Sequence, residues 1–278
     1  MITRLSPAKV NLHLKVLRKR PDGYHDLATL MQRVSLYDDM SFTRRPDGVS
    51  LHCPDGTLPE DGANIVWRAA AALLAHVPDP GGMDITLKKR IPLAAGLGGG
   101  SSNAATTLLA VNELIGSPCN LQELLHIGAT LGADVPFFIF GQTAWAFGIG
   151  DRLKAAPEVP RFWFVLVNPG FALSTKIVYE KLNFRLTNRS INYSIPRFCE
   201  AGDWAAGLYN DLEKVSIRLH PELADVKGHL LDLGAAGALM SGSGPTVFGL
   251  FATEDGAETA AAALKRTSPY SVFVARTL

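Results

Sequence analysis

The chain has 278 residues, and at about 150 residues per domain that length points to two domains. Hydrophobic residues make up 47% and charged residues 19%, a balance that buries a sizeable core and excludes a disordered chain. Lys+Arg 27 against Asp+Glu 26 leave a formal charge of +1, without the global field of a polyanion-coating protein. Cys53, Cys119 and Cys199 lie far apart and form no C-x-x-C pair, which excludes a zinc knuckle or thioredoxin-like motif and fits a reduced cytosolic interior. The first residues carry no apolar h-region, and no stretch reaches transmembrane length, so a soluble cytoplasmic protein is expected.

In chain order, residues 10–16 alternate apolar and polar and predict a half-buried strand with Asn11, His13 and Lys15 on one face. Pro21-Asp22-Gly23 reads as a turn, 32–42 as a second strand and 44–62 as loops and short strands. A helix is predicted over 64–77 with Ile65, Ala69, Ala72, Leu73 and His76 on one side, then a strand over 84–91. After a glycine-rich loop, 102–115 reads helical with Ala104, Leu108, Val111 and Ile115 in one stripe. Asn120 and Glu123 form a capping box for a helix over 121–131. A strand is expected at 144–147 and a linker at 155–161, which contains Pro157 and Pro160. The second block holds strands at 162–167, 247–251 and 272–275 and helices near 176–182, 198–208, 221–233 and 254–266. Strands and helices mix without strict alternation, so two α+β domains are expected, 1–157 and 158–278.

The strongest chemical signal is the run Pro92, Leu93, Ala94, Ala95, Gly96, Leu97, Gly98, Gly99, Gly100, Ser101 and Ser102 at the start of a helix. Glycine lets the backbone approach a ligand closely, and the unpaired N–H groups of a first helical turn attract anions. The run is neither a Walker A loop, lacking Lys-Ser/Thr after the glycines, nor a strict G-x-G-x-x-G. A second small-residue loop, 240–246, reads MSGSGPT and by itself is an ordinary tight connection. Lys9, read alone, fits a solvated strand-end lysine better than a functional cation. Asp134, after a helix end and among apolar residues, fits a general base and a turn aspartate equally. The seven histidines form no H-x-H or H-E-x-x-H pattern and the serines no G-x-S-x-G elbow, so neither a dedicated zinc site nor a triad hydrolase has an anchor.

Taken together, the glycine-rich run at 92–104 and the glycine turn at 240–246 resemble the small-molecule kinases that include galactokinase, homoserine kinase, mevalonate kinase and phosphomevalonate kinase, the GHMP kinases. Within that family, SPAKVNLHL at 6–14, RPDGYHDLATLMQ at 20–32, GLGGGSSNAA at 96–105 and LGADVPFF at 131–138 resemble the branch that acts on a cytidyl-linked polyol. NPGFALST at 168–175 and NDLE at 210–213 extend the resemblance over nearly the whole chain. It implies an N-terminal domain like ribosomal protein S5 domain 2, which binds ATP, a ferredoxin-like C-terminal domain, and an active site in the cleft between them. It also implies the reaction: ATP, with Mg²⁺ bridging its phosphates, phosphorylates the tertiary 2-hydroxyl of 4-diphosphocytidyl-2-C-methyl-D-erythritol in the non-mevalonate route to isoprenoid precursors. Matched to this family, Asp134 is the catalytic aspartate and Lys9 the catalytic lysine that keeps it ionised. The run from Pro92 to Ser102 holds the ATP phosphates, while Tyr24, His25 and Tyr179 read the cytosine and Asn11 contacts the polyol or its diphosphate.

Ala94 and Ala95 stand where the family often has glycine, and Phe147 where a polar residue is expected. No residue is assigned as a Mg²⁺ ligand. Without the resemblance, Tyr24 and Tyr179 read as ordinary packing. Three other readings are weighed: a different GHMP kinase, a nucleic-acid-binding relative of the S5-like domain, and a relative that binds nucleotide without turnover. The D-G-Y-H segment with Tyr179 speaks against the first, the near-zero charge against the second, and the presence of both Lys9 and Asp134 against the third. The partner expected is a small-molecule substrate, with neither nucleic acid nor membrane, and the enzyme a monomer or homodimer.

Overall fold

The computed structural model of the chain describes residues 1–56, 58–156, 159–182 and 207–278. Pro157, the domain boundary at 157 and 158, Cys199 and most of the helix expected over 198–208 lie outside the described residues. The chain divides into two compact units that interleave in sequence. One comprises Met1–Ala8, Tyr37–Ile91 and Gly98–Gly141, the other Lys9–Leu36, Pro92–Leu97 and Gln142–Leu278. Two strands, β1 (Ile2–Lys19) and β2 (His25–Arg45), are long enough that each supplies residues to both units. Both outrun their expected spans. Residues Ala28 to Gln32 are buried without a break, so the alternation that would have announced the start of β2 is absent there.

In the first unit, the end of β2 pairs antiparallel with β4 (Gly82–Lys88), from Asp39 opposite Lys88 to Arg45 opposite Gly82. β3 (Val49–His52) pairs with β4 in parallel. Helices α1 (Ile65–Leu74), α2 (Gly99–Leu114), α3 (Leu121–Leu131) and α4 (Val135–Phe140) complete this unit, and α2 packs on α1, α3 and α4. Asn64 caps α1 by accepting from the Val66 N–H at 2.9 Å. The face α1 buries is Val66, Ala69, Ala70, Leu73 and Leu74. His76, expected on that face, is exposed beyond the end of the helix. The capping box of Asn120 and Glu123 forms as expected, with both reciprocal hydrogen bonds present. The expected stripe of α2 holds for Ala104, Leu108 and Val111, which are buried, but α2 begins at Gly99, inside the glycine run rather than at Ser102.

In the second unit, β5 (Ala144–Gly148) pairs antiparallel with the start of β2, and β6 (Arg152–Ala155) with β5. The two-residue β8 (Tyr209–Asn210) lies parallel to β1 with Leu14 opposite Asn210. A separate antiparallel sheet has the order β11-β7-β10-β9, from β7 (Trp163–Asn168), β9 (Gly237–Met240), β10 (Val247–Phe251) and β11 (Ser271–Arg276). In chain order that is 4-1-3-2, the ferredoxin-like arrangement expected. Helices α5 (Thr175–Glu180), α6 (Glu213–Leu219) and α7 (Glu222–Asp232) lie between its first two strands in sequence, and α8 (Glu254–Thr267) between its last two. Val165, Val167, Val247 and Phe251 pack with Leu230 of α7 and Leu264 of α8 in one apolar cluster. β6, β8, β9, α4 and α6 were not expected from sequence; each is seven residues or shorter, too short to show a period. No helix among the described residues is long and apolar enough to cross a membrane.

Phe164 and Phe248 on neighbouring strands meet edge to face, with ring centroids 5.9 Å apart, and both are fully buried. Phe248→Ala is expected to lower stability by about 3–5 kcal/mol through lost burial and a residual cavity, measured by urea unfolding.

Candidate active site

In the second unit, the polar face of β1 is built around Lys9, which is only 4% exposed. The solvated strand-end lysine that the residue alone suggested is therefore overturned: the strand runs well past Lys9 on both sides. Lys9 Nζ donates to Asn11 Oδ1 at 2.6 Å, Asn11 Nδ2 to Thr29 Oγ1 at 2.8 Å, and Thr29 Oγ1 to the His13 carbonyl at 2.7 Å. This chain of donors fixes the ammonium, because every side chain in it is buried and has its partner. Further along the strand, the ring of His13 stacks on Tyr209 at 5.3 Å and tilts against Trp145 at 5.5 Å. Burial pushes its imidazole below the ordinary value, against the opposing pull of the Gly207 carbonyl and Asp211.

The glycine run is divided between the units at Leu97 and Gly98. In the second unit, the Lys9 N–H donates to the Leu97 carbonyl at 2.9 Å, and the Thr246 N–H to the Ala95 carbonyl at 3.3 Å. Ser241 Oγ donates to the Gly96 carbonyl at 2.9 Å and accepts from the Asn11 N–H at 3.3 Å. The MSGSGPT turn is thus more than an ordinary connection, since it grips the first half of the run. Gly96 is required as glycine: its φ is +75°, and a Cβ would stand 2.2 Å from the Ser241 carbonyl oxygen. Ala94 takes a left-handed φ of +49° without being glycine.

In the first unit, Gly98 in the left-handed conformation opens α2, and no side chain caps that end. Gly100 is exposed and Gly99 and Ser101 are half-buried, so the first-turn N–H groups and the positive end of the dipole are presented at an accessible end, as an anion site needs. Ser102, the last residue of the run, is placed differently from Ser101. It is fully buried, and its hydroxyl accepts from Ser6 Oγ at 2.8 Å, which leaves Ser101 as the accessible hydroxyl.

Behind this helix end lies a polar cluster that sequence reading missed. Asp38 is 0% exposed and accepts from the Arg90 N–H at 2.7 Å, the Ile91 N–H at 2.9 Å, Asn103 Nδ2 at 2.8 Å and Lys89 Nζ. Lys89 Nζ also reaches Asn103 Oδ1 at 3.1 Å, and Asn103 Nδ2 reaches Ser6 Oγ at 2.9 Å. Burial pulls the Lys89 ammonium below its usual value while Asp38 holds it up. A signal was present in the sequence: Val34, Leu36, Met40 and Phe42 all face inward, and Asp38 falls in step with them.

Asp134 sits at the N-cap position of α4, half-buried, and its side chain makes no capping hydrogen bond. Among the described residues no group of three or more His, Cys, Asp and Glu side chains could hold a metal ion. In the second unit, His25 and Tyr179 stack with centroids 4.8 Å apart and planes at 23°, while Tyr24 is 61% exposed. Burial and the nearby Lys19 lower the His25 imidazole from its ordinary value.

The family model described as "GHMP kinases N terminal domain" matches residues 64–142, and that for "GHMP kinases C terminal" residues 195–269. The chain is 60% identical to a 4-diphosphocytidyl-2-C-methyl-D-erythritol kinase of Syntrophus aciditrophicus over 278 residues, covering 100% of both chains. It is 51% identical to a protein of the same name from Geobacter metallireducens, covering 100% of this chain and 99% of that one. A crystal structure of 4-(cytidine 5'-diphospho)-2C-methyl-D-erythritol kinase superposes with TM-score 0.84 at 40% identity over 99% of each chain. Homoserine kinase from Cytophaga hutchinsonii shares the fold at TM-score 0.68 and 22% identity, covering 98% of this chain and 95% of that one.

Two outcomes follow from the site itself. A left-handed residue with a Cβ costs about 1–2 kcal/mol, and glycine's extra unfolded freedom returns about 0.5–1 kcal/mol of that gain. Ala94→Gly should therefore raise stability by about 0.5 kcal/mol, seen as a rise of about 1–2 °C in melting temperature. His13, lowered in the folded state from 6.5, binds fewer protons there than in the unfolded chain once the pH falls below that value. Its contribution is present above pH 6.5 and is lost on acidification down to the folded value. His13→Asn should flatten this part of the acid limb, measured from urea midpoints at about pH 7.5 and about pH 5.5.

Proposed function

The chain belongs to the GHMP kinases and, within them, to the 4-diphosphocytidyl-2-C-methyl-D-erythritol kinases, and from that membership we infer its reaction. It transfers a phosphoryl group from ATP to the 2-hydroxyl of 4-diphosphocytidyl-2-C-methyl-D-erythritol, giving the 2-phosphate and ADP, in the methylerythritol phosphate route to isoprenoid precursors. The observation that carries this reading is identity of 60% over the whole length of both chains.

The residues fit the nucleotide. An uncapped N-terminus of a sixteen-residue helix, opened by Gly98 and with the exposed Gly100 in its first turn, suits the phosphates of ATP, which supplies the group to be transferred. Mg²⁺ in such sites is held largely by phosphate oxygens and water. The accessible Ser101 hydroxyl is the donor this segment offers it, and the lack of a carboxylate cluster among the described residues is compatible with that mode.

The acceptor is a tertiary alcohol, a poor nucleophile at neutral pH, so its proton needs a positioned base. Asp134 is the residue for that role by its place in the LGADVPFF segment, half-buried at the head of α4. Lys9 supplies fixed positive charge for the transferring phosphoryl group, held in direction by Asn11. Asn11 spends both ends of its side chain on Lys9 and Thr29, so we assign it the orientation of Lys9 ahead of direct contact with the polyol. Tyr24, His25 and Tyr179 lie on the cytosine side: the stacked His25–Tyr179 pair offers aromatic surface, and the exposed Tyr24 is available to cover a base. The setting that goes with this reading is the cytoplasm, with ATP at hand, and the domains it assigns are 1–157 and 158–278.

The test is ADP release by the purified protein with Mg²⁺-ATP, with the cytidyl substrate, homoserine and mevalonate offered in parallel. Turnover of the cytidyl substrate alone is expected, and Asp134→Asn should lower kcat by about 10²–10⁴-fold with an unchanged melting temperature. Turnover of homoserine or mevalonate in its place would sink the cytosine assignment of Tyr24, His25 and Tyr179.

A further inference from the structure

The NDLE segment, Asn210 to Glu213, has no part in the chemistry above, yet its Asn210 is buried against the turn that holds the glycine run. β9 is the edge strand of its sheet, and at Met240 the main-chain groups on its open side are buried away from water. Such groups must find partners. Asn210 Nδ2 donates to the Met240 carbonyl at 2.8 Å, and Glu213 Oε1 accepts from the Met240 N–H at 3.0 Å. Glu213 is itself held by Lys227 Nζ at 2.7 Å. So far this is an edge being closed.

Asn210 goes further. The same Nδ2 donates to the carbonyl of Gly242 at 2.7 Å, two residues into the turn, while its Oδ1 accepts from the Leu212 N–H at 2.9 Å. All the hydrogen-bonding capacity of the amide nitrogen is spent on Met240 and Gly242, the residues that flank Ser241. Ser241 is the residue whose hydroxyl bridges the Asn11 N–H and the Gly96 carbonyl. The seat is tight: a Cβ on Gly242 would stand 3.4 Å from both Asn11 Oδ1 and the Gly96 carbonyl oxygen. The carbonyls on either side of Ser241 are thus pinned by one side chain, and the direction of the Ser241 hydroxyl toward Gly96 follows from that pinning.

We propose that Asn210 is a positioning residue for nucleotide binding, acting through Ser241 on Gly96 of the glycine run. The proposal depends on the kinase reading only in taking ATP as the ligand of that run. Closing the edge of β9 would require the Met240 contacts alone; the second donor to Gly242 ties the edge to the loop. Loss of it should loosen the loop in the ground state and raise the KM for ATP, while groups that act in the transition state stay in place.

The experiment compares wild type, Asn210→Ala, Ser241→Ala, the double variant and Leu230→Ala. Leu230 is fully buried in the apolar cluster of the same unit, with none of the turn's hydrogen bonds, and serves as a control for general destabilisation. Steady-state kinetics with varied ATP are run on each, with melting temperatures alongside. Asn210→Ala should raise the KM for ATP by about tenfold and leave kcat within about threefold, with Leu230→Ala leaving that KM near wild type. The double variant should be no worse than the more affected single variant, because both substitutions break one linkage. An ATP KM for Asn210→Ala that moves no more than in Leu230→Ala, or effects that multiply in the double variant, would overturn the proposal. Should Asn210→Ala fail to fold, Ser241→Ala decides: an unchanged ATP KM there overturns it equally. An inactive wild type would instead strike at the kinase reading, which this series keeps separate.

Discussion

The carboxylate of Asp38 is the point on which the glycine run of this protein turns. It has no exposed surface, and four donors converge on it from Lys89, the Arg90 and Ile91 backbone, and Asn103 of α2. A charge in that position persists only with its partners in place, since an unpaired buried carboxylate or ammonium costs several kcal/mol. The partners are therefore held as firmly as the charge. They are the chain just before the run and a side chain in the first turns of the helix just after it. The entry and the exit of a segment made of small, freely rotating residues are thus fixed to one strand, and the glycines need no side chains of their own to be ordered.

In the other compact unit the first half of the run is held by a different device. Ser241 and Thr246 hydrogen-bond to the Gly96 and Ala95 carbonyls, and the Lys9 N–H to Leu97. The backbone contacts require a residue without Cβ at Gly96, while the accessible left-handed bend at Ala94 has a methyl where a glycine would be unstrained. Glycine in this segment therefore answers two separate needs: close approach of main chain to main chain at Gly96, and an open helix start at Gly98 to Gly100. Neither need could be told from the other in the letters alone.

The same economy governs the charged groups. Lys9 is buried, and its direction is set through Asn11 and Thr29, so the ammonium is held in one orientation. Preorganisation of this kind is where most of the advantage in phosphoryl transfer lies, because the transition state asks the protein for placed charge and little covalent help. Asp134, at the head of a short apolar helix, is likewise placed by its neighbours Val135 to Ile139, which are buried.

Much of this was legible from residue order. The strands at 163–168 and 247–251, the capping box at Asn120 and Glu123, and the helix behind the glycines all follow from local periodicity and capping chemistry, which act over a few neighbours. Resemblance of motifs supplied the family and named Lys9, Asp134 and the run from Pro92 to Ser102. Tertiary structure decided which partners the buried polar residues find. Lys9 is an inner residue instead of a strand-end one, the Ser102 hydroxyl is buried against Ser6, and Asp38, in step with four inward apolar residues, gathers donors from two separate segments. Those outcomes depend on partners tens or hundreds of residues away, such as Asn103 for Asp38 and Ser241 for Asn11. Local pattern sets the direction a side chain takes, but only the folded chain brings up the group that makes its burial tolerable.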